Sequence, residues 1–379
     1  MPIETRFKPV PRAPAAEPVW PPPFGAATGG RGICGEAFSE CSEGRGSLSV
    51  QVCFVTIVLL RRTAGPAGER SRSAPVRCGR VTKEKALTDV SSGHVTTNDG
   101  VRLHYLEAGS GPDMLFVPGW SQTAAQWRYQ IADFARTHHV VALDHRGHGD
   151  SQKPDHGYRL ARLSMDVHQL VQALDLTEVI WVAHSAGCGV TWSYWDLFAG
   201  ERVARLVLFD EPAVLIHQPY WPSGLADRLG ALYGLEEIAG VVAKLRDPGF
   251  DAQALTAEFL DPMWTPAASE EDRRWVLTQN LRLPREYAGR LLLDNVVQDW
   301  RDVLPRIDVP TLVMGGEDSI IPTSSARSTA ESIPGARLRI LRDHSSHFAF
   351  WENPAEFNGE IRAFLDATDR SGGDCAATA

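Results

Sequence analysis

Ser185 lies in the pentapeptide Ala183-His184-Ser185-Ala186-Gly187, between the apolar run 179–182 and a helical segment carrying Trp192, Tyr194 and Trp195. A serine held on so sharp a strand-to-helix turn needs small residues two positions to either side, because the bent backbone leaves no room for larger ones. The turn lifts the hydroxyl into a cleft, and the N-terminus of the following helix stabilises negative charge beside it. That is the chemistry of a nucleophile attacking a carbonyl once a neighbouring base has taken its proton. The same five residues, taken alone, also fit a serine that caps a buried helix. Metal chemistry has no comparable support. Of the six cysteines, Cys34, Cys41, Cys53 and Cys78 fall in the first 80 residues, Cys375 in the C-terminal tail, and Cys188 one helical turn past Ser185. No CxxC and no Cys/His spacing suggests zinc, and no pair in the body suggests a disulfide framework. The expectation is an enzyme without metal or cofactor, in a reducing, cytoplasmic setting.

The elements that would position Ser185 are legible as a repeating pattern. Residues 94–97, the turn Asn98-Asp99-Gly100 and residues 101–108 predict a hairpin. Short runs rich in Val, Leu and Ile follow at 114–118, 140–143, 179–183, 206–209, 311–314 and 338–341. Each is apolar on both faces, as strands covered on two sides by helices are. Between them lie helical patterns, such as 164–176 with Met165, Val167, Leu170, Val171 and Leu174 on one stripe and Ser164 as N-cap. Asn353-Pro354 starts a last helix. Strands alternating with helices predict an α/β fold, a mostly parallel central sheet with helices on both faces. The spacing breaks once. Residues 212–303 show no strand but helical periodicity at 239–245, 252–260, 272–283 and 285–300. A helical insertion at the carboxyl edge of a parallel sheet is well placed to act as a lid over a site there.

The chain has 379 residues, 43% hydrophobic and 22% charged, enough for a substantial core. Its formal charge of −9 is unevenly spread: residues 1–80 hold 11 Lys and Arg against six Glu, a net of +5, and the rest carries −14. An acidic body excludes a nucleic-acid footprint and attraction to an anionic membrane, and favours a small, neutral or modestly charged molecule as partner. Residues 1–85 are rich in Pro, Gly, Arg, Ser and Ala and predict a disordered extension. Their apolar stretch, residues 48–60, spans 13 positions, and a membrane-spanning helix needs about 20. No methionine occurs between Met1 and Met114, so an alternative expectation is that this segment is not native and that translation starts at a non-methionine codon such as that of Val76 or Val81. The domain expectation is therefore 1–85 as extension, 86–211 with 304–368 as the α/β core, and 212–303 as the lid.

With its neighbours in the chain, the serine turn resembles the nucleophile elbow, G-x-S-x-G, of the α/β-hydrolase superfamily, with Ala183 in place of the first Gly. Three further segments extend the resemblance over about residues 90–368, in the order the superfamily requires. Phe116-Val117-Pro118-Gly119-Trp120-Ser121 stands where these enzymes carry H-G-x, with Pro118 at the place of His. By that resemblance the backbone N–H groups of Trp120 and Ala186 form the oxyanion hole. Asp144-His145-Arg146-Gly147-His148-Gly149-Asp150-Ser151 is similar to the D-x-R-G-x-G-x-S turn, a structural motif. Ser346-His347-Phe348 with Glu352-Asn353-Pro354 resembles the terminal (G/S)-H-F-x-x-x-E-x-P segment, which implies that His347, rather than His344, is the base. Gly315-Gly316-Glu317-Asp318, followed by Pro322, resembles G-x-x-D-x-x-x-P and implies Asp318 as the acid of the triad Ser185, Asp318 and His347. Asp210 is the second candidate, since some members carry the acid after the preceding strand.

The reaction expected is hydrolysis of an ester or lactone through an acyl-Ser185 intermediate. The 11 tryptophans lean the substrate toward a medium-sized, hydrophobic small molecule, with Trp120, Trp192, Trp221 and Trp264 as wall candidates. At least half of the tryptophans are expected to pack the core instead. The resemblance also admits cofactor-free haloperoxidases or perhydrolases and C–C hydrolases. Outside catalysis it admits a ligand receptor on the same scaffold, which would keep binding its ligand after Ser185→Ala.

Overall fold

The computed structural model describes residues 90–376. The expectations for residues 1–85, including the apolar stretch and the alternative start, lie outside the described residues. Among the described residues no helix is long and apolar enough to cross a membrane.

Eight strands form one sheet: β1 (Ser91–Thr96), β2 (Arg102–Ala108), β3 (Asp113–Val117), β4 (His139–Leu143), β5 (Val179–His184), β6 (Val203–Phe209), β7 (Thr311–Gly316) and β8 (Arg337–Leu341). Their spatial order is β1-β2-β4-β3-β5-β6-β7-β8. β1/β2 and β2/β4 pair antiparallel, and every other pair is parallel. Each expected strand run is found, with its ends shifted by no more than three residues. The first hairpin closes where Gly100 takes φ +80°, a conformation that favours glycine, with the Gly100 N–H donating to the Thr97 carbonyl at 2.9 Å. β5 is buried at all six positions, as its uninterrupted apolar sequence requires.

The helices in chain order are α1 (Arg128–Phe134), α2 (Leu160–Ala173), α3 (Ala186–Phe198), α4 (Leu225–Leu229), α5 (Leu235–Arg246), α6 (Ala252–Leu260), α7 (Glu270–Asn280), α8 (Arg285–Val296), α9 (Thr323–Ser332), α10 (Ala349–Glu352) and α11 (Pro354–Ala376). Four to eight form the insertion between β6 and β7. α2 starts one turn earlier than the sequence pattern suggests. Ser164 is not its N-cap but lies inside it, donating to the carbonyls of Leu160 at 2.9 Å and Val190 at 2.8 Å, which ties α2 to α3. Its length and contacts are set by packing against α3, which the local serine signal does not report.

The core on one face of the sheet is aromatic: Trp127 meets Phe116 at 4.9 Å and Phe350 at 4.6 Å between ring centroids, and Phe209 meets Phe357 at 5.1 Å. Strand order reverses between β3 and β5, whose following loops carry Gly119 and Ser185. In an open α/β sheet that switch point at the carboxyl ends is where a crevice forms. The insertion is fastened beside it: Trp120 Nε1 donates to the Ala288 carbonyl at 2.8 Å and Ser121 Oγ to that of Asn280 at 2.8 Å.

Candidate active site

The elbow has the backbone its small neighbours foretell. Ser185 takes φ +52° and ψ −133°, strained for a residue with a side chain, and starts α3. Its N–H donates to the Phe209 carbonyl at 2.9 Å, so β6 holds the turn from behind. Gly187 is obligatory by contact: a Cβ there would stand 2.5 Å from the Val117 carbonyl oxygen and 2.8 Å from that of Pro118. Gly119 is equally close, since a Cβ would meet Ser185 Cβ at 2.9 Å. The loop after β3 and the elbow are thus in direct contact.

That contact leaves two amides open. The Gly119 N–H donates to Gln122 Oε1 at 2.8 Å and the Ser121 N–H to His148 Nε2 at 3.2 Å. The intervening N–H of Trp120 and that of Ala186 have no acceptor among the described residues. Trp120, Ser185, Ala186 and His347 line one cavity of about 50 Å³.

His347 sits between β8 and α10. Its Nδ1–H donates to Asp210 Oδ2 at 2.7 Å, and both side chains are nearly inaccessible, at 4% and 1%. This arrangement fixes the tautomer that leaves the Nε2 lone pair free to take a proton. The His347 carbonyl accepts from His184 Nε2 at 2.8 Å. Burial pushes the His184 imidazole well below its usual range.

Asp318 does not meet His347. It is exposed, its N–H donates to the Ser345 carbonyl at 3.2 Å, and its Oδ2 accepts the Ser345 N–H at 3.4 Å. The reason is the way β7 runs into the loop after β8. Glu317 N–H bonds to the Leu341 carbonyl, and a Cβ on Gly316 would stand 1.9 Å from the Ser345 carbonyl oxygen. This clamp brings Asp318 to Ser345, two residues short of the imidazole. Asp210, at the end of β6 with φ +61°, reaches His347 instead. Its carboxylate also accepts Ser319 Oγ–H at 2.5 Å and the Gly316 N–H at 3.4 Å. The end of β7 and the segment after it therefore support the carboxylate, through Gly316 and Ser319 respectively.

Of the four tryptophans considered for the wall, Trp120 alone is in the cavity lining. Trp192 is buried in α3 away from the cavity, and Trp264 packs on Phe348 at 4.4 Å between centroids. Trp221 carries the Arg301 guanidinium over its ring at 5.1 Å. These three are framework, because indole area is as useful for packing as for a ligand. The walls are instead set by Leu215, Leu260, Leu292 and Ile320, with five polar residues the sequence reading missed: Gln122, Glu211, Tyr233, Asn280 and Asn295. The only sequence signal for Glu211 was a second acid directly after Asp210 at the end of a buried strand. Burial, next to the Asp210 carboxylate, pushes the Glu211 carboxyl up to about 8.

The Asp144–Ser151 turn holds the surroundings together. The fully buried Arg146 binds Asp166 through Nη2 at 2.7 Å and Asp99 through Nη1 at 3.0 Å. Asp144 accepts His104 Nδ1–H and the Ala124 N–H, both at 2.7 Å. His145 and His148 are pushed down to about 3 and about 4 by burial.

The chain is similar in sequence and fold to known proteins. The chain is 27% identical over 288 residues to a non-heme haloperoxidase of Rhodococcus erythropolis, covering 72% of this chain and 99% of that one. Among solved structures, an esterase of Exiguobacterium antarcticum aligns with TM-score 0.65 and 23% identity, over 72% of this chain and 98% of that one. An enol-lactonase of Burkholderia xenovorans aligns with TM-score 0.61 and 21% identity, over 72% and 100%. At these identities the two structures speak for the fold alone. The family model described as alpha/beta hydrolase fold matches residues 112–354, with the elbow, Asp210 and His347 all inside it, and the chain belongs to that family.

Proposed function

We propose that the protein is a serine hydrolase of small-molecule carboxylic esters or lactones, with Ser185 as nucleophile, His347 as general base and Asp210 as the acid that orients it. The observation that carries this reading is the His347 Nδ1–Asp210 pair at 2.7 Å, with His347 lining the cavity that the strained Ser185 also lines. In the first half-reaction Ser185 Oγ attacks the carbonyl carbon as His347 Nε2 takes its proton. The negative charge that develops on the carbonyl oxygen falls to the Trp120 and Ala186 N–H groups. His347 then gives its proton to the leaving alcohol, and water repeats the sequence on the acyl-serine. The family membership supports this reaction class, and solved structures that share the fold include an esterase and an enol-lactonase.

The cavity, about 50 Å³, has room for roughly three non-hydrogen atoms by the measure of about 15 Å³ per water-sized site. That suits a short acyl group, and a medium-sized apolar substrate requires the helical insertion to move as a lid. A cytoplasmic setting belongs to the same proposal, consistent with the buried free thiol of Cys188.

The test is labelling with a fluorophosphonate probe, located by peptide mass spectrometry, together with hydrolysis of p-nitrophenyl esters. Ser185 is the expected site, and Ser185→Ala is expected to lose about a thousand-fold or more in kcat. Equal turnover by wild type and Ser185→Ala would overturn the proposal. A second reading is favoured by the relative named non-heme haloperoxidase. In it the same acyl-serine is cleaved by hydrogen peroxide in place of water, releasing a peracid that oxidises halide in solution. Bromination that depends on added acetate, peroxide and Ser185 would establish it.

A further inference from the structure

Glu211 is a carboxyl in the cavity that the mechanism above does not use. It is 7% exposed and lines the same space as Ser185 and His347. Its Oε1 accepts Asn295 Nδ2–H at 3.1 Å, which fixes the direction of the group. Its Oε2 has no partner among the described residues, yet is not sealed off with the buried polar atoms that lack one. The titratable groups facing it are the Asp210 carboxyl, the Tyr233 hydroxyl and the Cys188 thiol, and no cation is among them. A carboxylate so placed would be desolvated and repelled by Asp210, so the group keeps its proton at neutral pH and Oε2–H becomes a donor. Asn280, on the same lining, has Oδ1 buried without a partner while its Nδ2–H donates to the Val276 carbonyl at 2.8 Å. A cavity meant only for an alkyl chain gains nothing from two such groups, since each costs desolvation until a ligand satisfies it.

We propose that Glu211, braced by Asn295, donates a hydrogen bond to an uncharged substrate oxygen other than the scissile carbonyl, so that hydroxy- or oxo-substituted esters and lactones are preferred over plain alkyl esters. The inference rests on the hydrolase reading for the reaction, but the recognition it describes is a property of binding. Discrimination of this kind is strong because a ligand lacking the oxygen leaves the buried donor unpaired.

The experiment compares ethyl 3-hydroxybutyrate with ethyl butyrate in wild type, Glu211→Gln and Glu211→Leu. The readouts are kcat/KM by pH-stat and Kd by calorimetry in a Ser185→Ala background. Wild type is expected to favour the hydroxy ester by about tenfold or more in both readouts. Glu211→Gln keeps a donor of the same shape and is expected to retain most of that ratio. Glu211→Leu is expected to bring it close to one. A ratio unchanged in Glu211→Leu, or a wild type that favours ethyl butyrate, would overturn the inference. Where neither ester is turned over but the binding ratio follows this pattern, the hydrolase reading fails and the recognition stands. An unfolded Glu211→Leu leaves the decision to wild type and Glu211→Gln, in which loss of preference on the isosteric change counts against the donor.

Discussion

Two carboxylates compete for one imidazole, and substitution separates them. Asp210 accepts the His347 Nδ1–H at 2.7 Å, whereas Asp318 bonds only with the backbone of Ser345. Asp210→Asn keeps the shape but presents an amide to Nδ1, favouring the tautomer whose proton sits on the wrong nitrogen. A loss of about a thousand- to ten-thousand-fold in kcat is expected, measured on p-nitrophenyl acetate. Asp318→Asn is expected to stay within about threefold of wild type, because its side chain is exposed and bonds the Ser345 backbone in place of the ring. The reverse order of effects would assign the acid to Asp318. Ser319 belongs to the same scale, since its hydroxyl supports the Asp210 carboxylate at 2.5 Å.

Among the elements, the join between the loop after β3 and the start of α3 decides the geometry of the site. Gly187 permits it, with the Val117 and Pro118 carbonyl oxygens 2.5 and 2.8 Å from where a Cβ would stand. Backbone cannot rotate away as a flexible side chain can, so the strand end and the helix must separate. Gly187→Ala is expected to cost about 1–3 kcal/mol of stability by urea unfolding. It should also lower kcat more than it raises KM, because the Trp120 and Ala186 N–H groups lie on opposite sides of that join. Unaltered stability and turnover would show that the join has slack. The insertion is a second element-scale device: Trp120 Nε1 holds the Ala288 carbonyl, so the residue whose N–H is proposed for the oxyanion hole also anchors α8.

For the whole molecule, buried titratable groups set how stability changes with pH. His145 and His148 are held down to about 3 and about 4 by burial, from an ordinary value of 6.5. Between pH 6.5 and about 4 the unfolded chain binds two protons that the folded chain refuses, so stability falls as pH falls across that window. Glu211 works in the opposite sense. Pushed up to about 8 from 4.5, it is protonated in the folded chain and ionised in the unfolded one over that range, so stability falls as pH rises through it. For these three groups together stability peaks near pH 6.5. Thermal unfolding is expected to show that peak, and Glu211→Gln to flatten the decline on its alkaline side. A Tm profile for Glu211→Gln that parallels wild type above pH 6.5 would contradict the assignment.

Some of this was settled by the chain before it folded. Small residues around Ser185, the two-sided apolar runs and the Asn98-Asp99-Gly100 turn are local signals for local backbone, and the strands, the elbow and the first hairpin follow from them. His347 was singled out by the resemblance of its segment, through Phe348 and Glu352-Asn353-Pro354, to the superfamily's terminal motif, and in the fold its ring meets a carboxylate. The partner of its Nδ1 was not legible. Asp210 and Asp318 both stand at the carboxyl ends of neighbouring parallel strands, and the sequence pattern at each is compatible with the role. Choosing between them depends on how the segment after β7 is clamped to the loop after β8. Those contacts join residues some 25 to 30 positions apart and leave no mark in either segment alone. The same holds for the cavity wall. Tryptophan type foretells burial, but whether an indole faces a ligand or the core is decided by the packing of α5 to α8 over the sheet edge. Glu211 reads in the sequence only as a second acid after Asp210, and its enclosure beside that carboxylate is what pushes its carboxyl up to about 8.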